Sequence, residues 1–201
     1  MAKLYFSYAA MNAGKSTMLL QASYNYRERG MRTLLLTSAL YAEDGVGKIT
    51  SRLGVSAEAE TFTTADDLFD RVRELTHEGK LDCVLIDEAQ FLTQDQVWQC
   101  ARIADRLGIP VMCFGLRTDF QGKLFPGSSE LLAIADVLRE LRTICHCGAK
   151  ATMVVRQGED GRVLTEGSQV AVEKTIYVSL CRRHWEEEVG RWPVTKAASG
   201  V

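Results

Sequence analysis

The run Ala9-Ala10-Met11-Asn12-Ala13-Gly14-Lys15-Ser16-Thr17 has residue types and spacing suited to gripping a polyphosphate. It follows G-x-x-x-x-G-K-[ST], in which backbone N–H groups cradle phosphates, the Lys reaches the terminal phosphates and the hydroxyl serves Mg²⁺. Ala9 stands where the first Gly is usual. At a strand exit that position needs only an unstrained φ, whereas at Gly14 the chain must approach the phosphates and turn into a helix. A second group, Val84-Leu85-Ile86-Asp87-Glu88, ends an apolar run in two adjacent carboxylates. Asp87 is the candidate to hold Mg²⁺ together with Ser16, and Glu88 the candidate base toward a nucleophile. The pair fits phosphoryl transfer and leaves the acceptor open between water and an alcohol. No Asn follows Asn25, so the Asn-Lys-x-Asp element that reads guanine in GTPases is absent and ATP is the expected donor.

A third group is Cys145-His146-Cys147 with Cys181-Arg182-Arg183-His184, two ligand pairs at the ends of an insert. Cys145, Cys147, Cys181 and His184 suit tetrahedral zinc, with His146 as an alternative to one of them. Four protein ligands leave no open position, so this metal would be structural. Cys83, Cys100 and Cys113 fall in apolar strand or helix positions and read as core thiols.

These groups need elements to hold them. Apolar runs of strand length at 4–8, 32–37, 81–86 and 111–114 alternate with helical patterns at 16–29, 66–76 and 95–107, the last stopped by Gly108 and Pro110. That alternation predicts an α/β fold: a parallel, RecA-like P-loop sheet covered by helices, with its ligands at the carboxyl ends of the strands. The segment 41–60 is rich in Gly, Ser and acidic residues, lacks a period and reads as a loop. From Cys145 onward short strand-like pieces, 152–156 and 176–180, replace the helical alternation. The expected organisation is a nucleotide-binding core at 1–142, a small zinc-binding unit at 143–192 and an unstructured tail at 193–201.

With 201 residues the chain has room for one well-buried core and a small appendage. Its 46% hydrophobic and 25% charged residues are ordinary for a soluble protein, and a net charge of −2 calls for neither nucleic acid nor an anionic membrane. No run approaches the roughly eighteen apolar residues of a spanning helix. The expected setting is cytoplasmic and reducing, so the six cysteines are not read as disulfides.

Taken together the motifs resemble the type II thymidine kinases, over nearly the whole chain. The resemblance rests on Met11-Asn12-Ala13-Gly14-Lys15-Ser16-Thr17, Leu85-Ile86-Asp87-Glu88-Ala89-Gln90-Phe91, Gly115-Leu116-Arg117-Thr118-Asp119-Phe120, the Cys145 and Cys147 pair, and Tyr177-Val178-Ser179-Leu180-Cys181-Arg182-Arg183-His184. Tyr24-Asn25-Tyr26-Arg27-Glu28-Arg29-Gly30-Met31 and Ala9 look like the enterobacterial branch. The resemblance implies transfer of the γ-phosphoryl group of ATP to the 5′-hydroxyl of thymidine or deoxyuridine, in nucleotide salvage, with Glu88 as base. It also implies a homotetramer and feedback inhibition by dTTP. The stretch 9–17 and Asp87, Glu88, Ala89 and Gln90 match its nucleotide-binding positions. Met11, Arg52, Phe91, Leu116, Phe120, Val170, Val172 and Tyr177 match positions around the substrate, some on a lasso-like loop whose backbone holds the base. Before Tyr177 this chain lacks the family's usual Gly-Gly step and is one residue shorter. Two other readings compete: a polynucleotide-stimulated P-loop ATPase with a zinc element, using Arg139, Arg142, Lys150, Arg156, Arg182 and Arg183 as a basic patch, and a non-enzymatic, nucleotide-regulated zinc module.

Overall fold

The computed structural model describes residues 1–41, 47–169 and 176–191, so Val170, Val172 and the 193–201 tail lie outside the described residues. Strand β1 (Leu4–Ala9) feeds the phosphate loop and helix α1 (Lys15–Glu28). There follow β2 (Thr33–Ser38), β3 (Lys48–Thr50), β4 (Ser56–Glu58), β5 (Glu60–Phe62), α2 (Leu68–His77) and β6 (Cys83–Ile86). Next come α3 (Gln94–Leu107), β7 (Val111–Leu116), α4 (Pro126–Ile134) and β8 (Val137–Glu140). Six of these strands form one sheet in the order β5-β2-β6-β7-β1-β8, and every pairing in it is parallel.

Side-chain alternation along the strands builds two cores, one on each face. Leu34, Leu36, Val84, Ile86, Val111 and Cys113 point to the face covered by α2, α3 and α4. Leu35, Cys83, Leu85 and Phe114 point to the other, where Leu19 and Leu20 of α1 meet them. Helix boundaries follow local chemistry. Thr93 and Gln96 close a reciprocal capping box at the start of α3, and Gly108 in the left-handed region ends it. Asp67 caps α2 through the N–H of Asp70.

Three features differ from the sequence expectation. The segment 41–60, expected to be a loop, contains the antiparallel pair β3 and β4, and Ile49 at its centre is only 1% exposed, packed with the α1 core. Three-residue strands with one inward side chain carry no readable period. Helix α4 and the edge strand β8 were also not read, because α4 is nearly uniformly small or apolar and β8 is exposed at all but Val137.

The remainder comprises β9 (Thr143–Ile144), β10 (Lys150–Ala151), β11 (Met153–Gln157), β12 (Val163–Leu164), β13 (Ile176–Leu180) and α5 (Arg182–Glu188). Strands β12, β11 and β13 form an antiparallel sheet in which Val154 opposes Ser179 and Arg156 opposes Tyr177. Directly opposed residues share a face. The alternate residues Val155, Val178 and Leu180 face a small core with Trp185, Cys145 and Cys181. Among the described residues no helix is long and apolar enough to cross a membrane.

Candidate active site

The phosphate loop spans residues 10–14 between the end of β1 and the start of α1. Ala9 is 4% exposed, closes β1 and has no positive φ, so nothing at that position requires glycine. Gly14 is different: its φ is +77°, and it caps α1 with no side chain satisfying the first N–H groups. An added Cβ there would meet no protein atom, so within the protein the conformation alone accounts for the glycine. Asn12 also has positive φ, at 62°, a conformation Asn tolerates better than most residues. Helix α1 carries no acidic residue in its first turn, leaving its free N–H groups and positive dipole end for an anion.

The Nζ of Lys15 donates to the carbonyl of Ala10 at 3.2 Å, folding the loop on itself. Burial holds Lys15 below the usual lysine range, with Glu88 and Asp87 partly restoring it. One strand, β7, lies between β1 and β6, so their backbones run about 9–10 Å apart, a gap that side chains from the phosphate loop and from the end of β6 reach across. Asp87 is 4% exposed; burial raises its carboxyl, while the Ser16 hydroxyl, the Glu88 N–H and Lys15 pull it down. The Glu88 N–H donates to Asp87 Oδ1 at 3.1 Å. A buried Asp87 beside the half-buried Ser16 hydroxyl at the foot of a phosphate loop fits Mg²⁺, whose preferred ligands are hard oxygens.

Glu88 departs from strand geometry at φ 54°, which turns it away from the alternation along β6. Burial, and then the neighbouring Asp87, raise its carboxyl; Lys15 and the Gln90 side chain oppose that rise. Gln90 is itself held, because its Oε1 accepts from the Leu116 N–H at 2.9 Å while its Nε2 donates to Glu88. Ala89 and Gln90 are 0% and 1% exposed and line no part of the phosphate cavity.

Two cavities meet at Glu88. The larger, about 540 Å³, is lined by residues 11–18, by 50–53 including Arg52, and by Glu88 and Leu116. The smaller, about 70 Å³, shares Met11, Glu88 and Leu116 with it and is otherwise walled by Phe91, Asp119, Phe120, Phe125, Val154, Gln169 and Tyr177. Phe91 meets Phe125 edge-on with ring centroids 5.7 Å apart. Of the substrate positions expected from the sequence, Met11, Phe91, Leu116, Phe120 and Tyr177 come together in the small cavity, and Arg52 lies exposed on the large one. Sequence reasoning missed Asp119, Phe125, Val154 and Gln169 as wall residues. Asp119 lies inside one of the family motifs, but nothing local marks Val154, which reaches the cavity from β11, or Gln169, which is held by Asp119.

That sheet is latched to the phosphate loop. The Ser179 hydroxyl donates to the carbonyl of Met11 at 2.5 Å, and Arg117 donates to the carbonyl of Thr152 at 3.1 Å. Behind it, the Trp185 indole donates to the carbonyls of Phe120 and Val154 at 3.1 and 3.0 Å.

The Cys/His cluster closes as the spacing predicts. Ligand atoms of Cys145, Cys147, Cys181 and His184 all lie within 4.8 Å of one another. His184 Nδ1 is 3.3 Å from Cys145 Sγ and 3.4 Å from Cys181 Sγ, and the sulfurs of Cys147 and Cys181 are 3.9 Å apart. A tetrahedron with Zn–S near 2.3 Å has edges of about 3.8 Å, so the four side chains fit zinc. Burial works against ionising Cys145, yet the Cys147 and Cys181 N–H groups and the His184 ring outweigh it and bring the thiol down to about 6. Glu187 lies 3.8 Å from His184 Nε2, which favours Nδ1 facing the sulfurs. His146 instead stacks on His184 with ring centroids 4.3 Å apart.

A phosphate loop, a carboxylate pair one strand removed and a second, aromatic cavity at the same glutamate define a P-loop protein of the phosphoryl-transfer class. The chain belongs to the thymidine kinase family: the family model described as thymidine kinase matches residues 2–185. A protein of Mesorhizobium japonicum named thymidine kinase is 68% identical over 95% of this chain and 94% of its own length. Like-named proteins of Jannaschia sp. and Aliivibrio fischeri are 61% and 54% identical, over 96% and 95% of this chain and the whole of theirs. Among solved structures, one described as an ATPase domain superposes with a TM-score of 0.50 at 12% identity, over 89% of this chain and 84% of that one, a likeness of fold alone.

Proposed function

We propose that this protein transfers the γ-phosphoryl group of ATP to the 5′-hydroxyl of thymidine, giving dTMP for nucleotide salvage. The observation that carries the reading is the position of Glu88 at the junction of a phosphate cavity and an aromatic one. Membership of the thymidine kinase family supports the identity of the acceptor. In this reading the loop N–H groups, Lys15 and the first turn of α1 hold the triphosphate, with Arg52 beside it. Glu88, raised by burial, accepts the proton of the attacking hydroxyl, a task for which a base titrating nearer neutrality is better matched. Ser16 and Asp87 would hold Mg²⁺, which neutralises charge developing on the transferred group.

Phe91, Phe120, Tyr177, Leu116 and Met11 would enclose the nucleoside, and Val170 and Val172 belong to the proposed base-holding segment. Cys145, Cys147, Cys181 and His184 would hold a structural zinc behind that wall. The division into a core at 1–142, a zinc unit at 143–192 and a tail at 193–201, the homotetramer, dTTP feedback and a cytoplasmic setting are parts of the same proposal.

The test is formation of dTMP from Mg-ATP and labelled thymidine, with and without DNA. Wild-type protein is expected to make dTMP independently of DNA, and Glu88→Gln to lose about 10²-fold or more in kcat while ATP still binds. ATP hydrolysis stimulated by DNA without dTMP would instead establish the ATPase reading. Deoxyuridine is expected to be accepted and deoxycytidine to be poor, because a site that hydrogen-bonds one base edge rejects the other strongly. Comparable turnover of deoxycytidine would contradict that edge-reading.

A further inference from the structure

Arg156 is only 5% exposed, yet no carboxylate among the described residues forms an ion pair with it. Its guanidinium lies 3.8 Å from the centre of the Phe120 ring. Nη1 donates to the carbonyl of Ser168 at 2.8 Å and Nη2 to that of Glu166 at 3.1 Å, while Nε has no partner among the described residues. Burying a cation against neutral groups costs stability, so the arrangement calls for a reason other than holding the fold together.

The chain around these carbonyls is shaped to admit the guanidinium. Gly167, between them, has a φ of +121°, and a Cβ there would lie 2.4 Å from Arg156 Nη2. Flanking contacts tie the same stretch down. Gln169 donates to Asp119 Oδ2 at 2.8 Å, and Gln121 donates to the carbonyl of Thr165 at 3.1 Å. Asp119 Oδ1 is in turn held by the N–H groups of Gln121 and Lys123, both at 2.9 Å. Arg156 does not line the small cavity, but its stacking partner Phe120, its cross-strand partner Tyr177 and the clamped Gln169 all do.

We propose that Arg156 is a positioning residue that staples Glu166–Ser168 to Phe120 and thereby sets the nucleoside-facing wall of the site, governing affinity for the nucleoside and not for ATP. This rests on the thymidine kinase reading. Lysine cannot replace it, because one ammonium neither spans two carbonyls in a plane nor offers a flat face to Phe120.

The experiment compares the full-length wild type, Arg156→Lys, Gly167→Ala and the double variant in steady-state assays with thymidine and Mg-ATP. Wild type without activity on thymidine would overturn the functional reading itself. Given that activity, each single variant is expected to raise KM for thymidine roughly tenfold, with KM for ATP and kcat within about twofold. Because both changes break one clamp, the double variant should be no worse than the more impaired single. The proposal is overturned by an unchanged KM for thymidine in either single variant, by equal rises in both KM values, or by multiplied effects in the double. Should Arg156→Lys fail to fold, Gly167→Ala carries the same test with Arg156 present.

Discussion

At Asp87 and Glu88 the free protein holds two adjacent carboxylates whose protons burial makes hard to remove, offset only in part by Lys15. Such groups cost stability when ionised and are retained for what they bind. For Asp87 the sign is clear. Its native pKa is raised above the unfolded value, so the stability it contributes is present below the ordinary carboxylate value of about 3.9 and is lost as pH climbs through the raised native value. Asp87→Asn removes that loss. Its ligand-free thermal midpoint is expected to exceed that of wild type at pH 7, the gap narrowing as pH approaches 4, while activity falls. A variant less stable than wild type at pH 7 would mean the ionised carboxylate is favourably held. These residues were legible in the sequence, because side-chain type at the end of an apolar strand already implies burial. The left-handed turn at Glu88 was not, since it depends on Gln90 and Leu116 meeting across the sheet.

Between elements, the contact that matters most is the latch from β13 to the phosphate loop. Ser179 is the point where the small sheet meets Met11, and Met11 lines both cavities. Ser179→Ala should destabilise the protein by about 1 kcal/mol, the usual net worth of one such bond, measured by urea unfolding. It should also raise KM for thymidine more than any unrelated surface substitution of equal stability cost. An unchanged KM would reduce the latch to a packing detail. The four inner strands of the main sheet, β2, β6, β7 and β1, were readable because buried parallel strands are continuous apolar runs, whereas the edge strands β5 and β8 are short or exposed. The β3-β4 pair was not readable, since its placement is decided by Ile49 finding α1 rather than by any pattern along the chain.

Over the whole molecule the Cys/His cluster stands behind the small aromatic cavity rather than in its wall: Trp185, next to His184 in the chain, hydrogen-bonds the backbone of Phe120, which lines that cavity. Removing the metal with a chelator should therefore lower the thermal midpoint and weaken thymidine binding while the phosphate loop, built on β1 and α1, still binds Mg-ATP. Calorimetric titration of each ligand into zinc-depleted protein checks this, and undiminished thymidine affinity would sever zinc from the site. The sequence by itself determined the phosphate loop, the carboxylate pair, the Cys/His set that clusters and the alternation that makes a covered parallel sheet. Each of these is local chemistry at a spacing set by backbone geometry. Only the tertiary structure decided that Val154 and Gln169 wall the second cavity, and that Arg156 stacks on Phe120 behind it. Those facts arise where residues far apart in the chain are packed together, and no local period or motif encodes such a meeting.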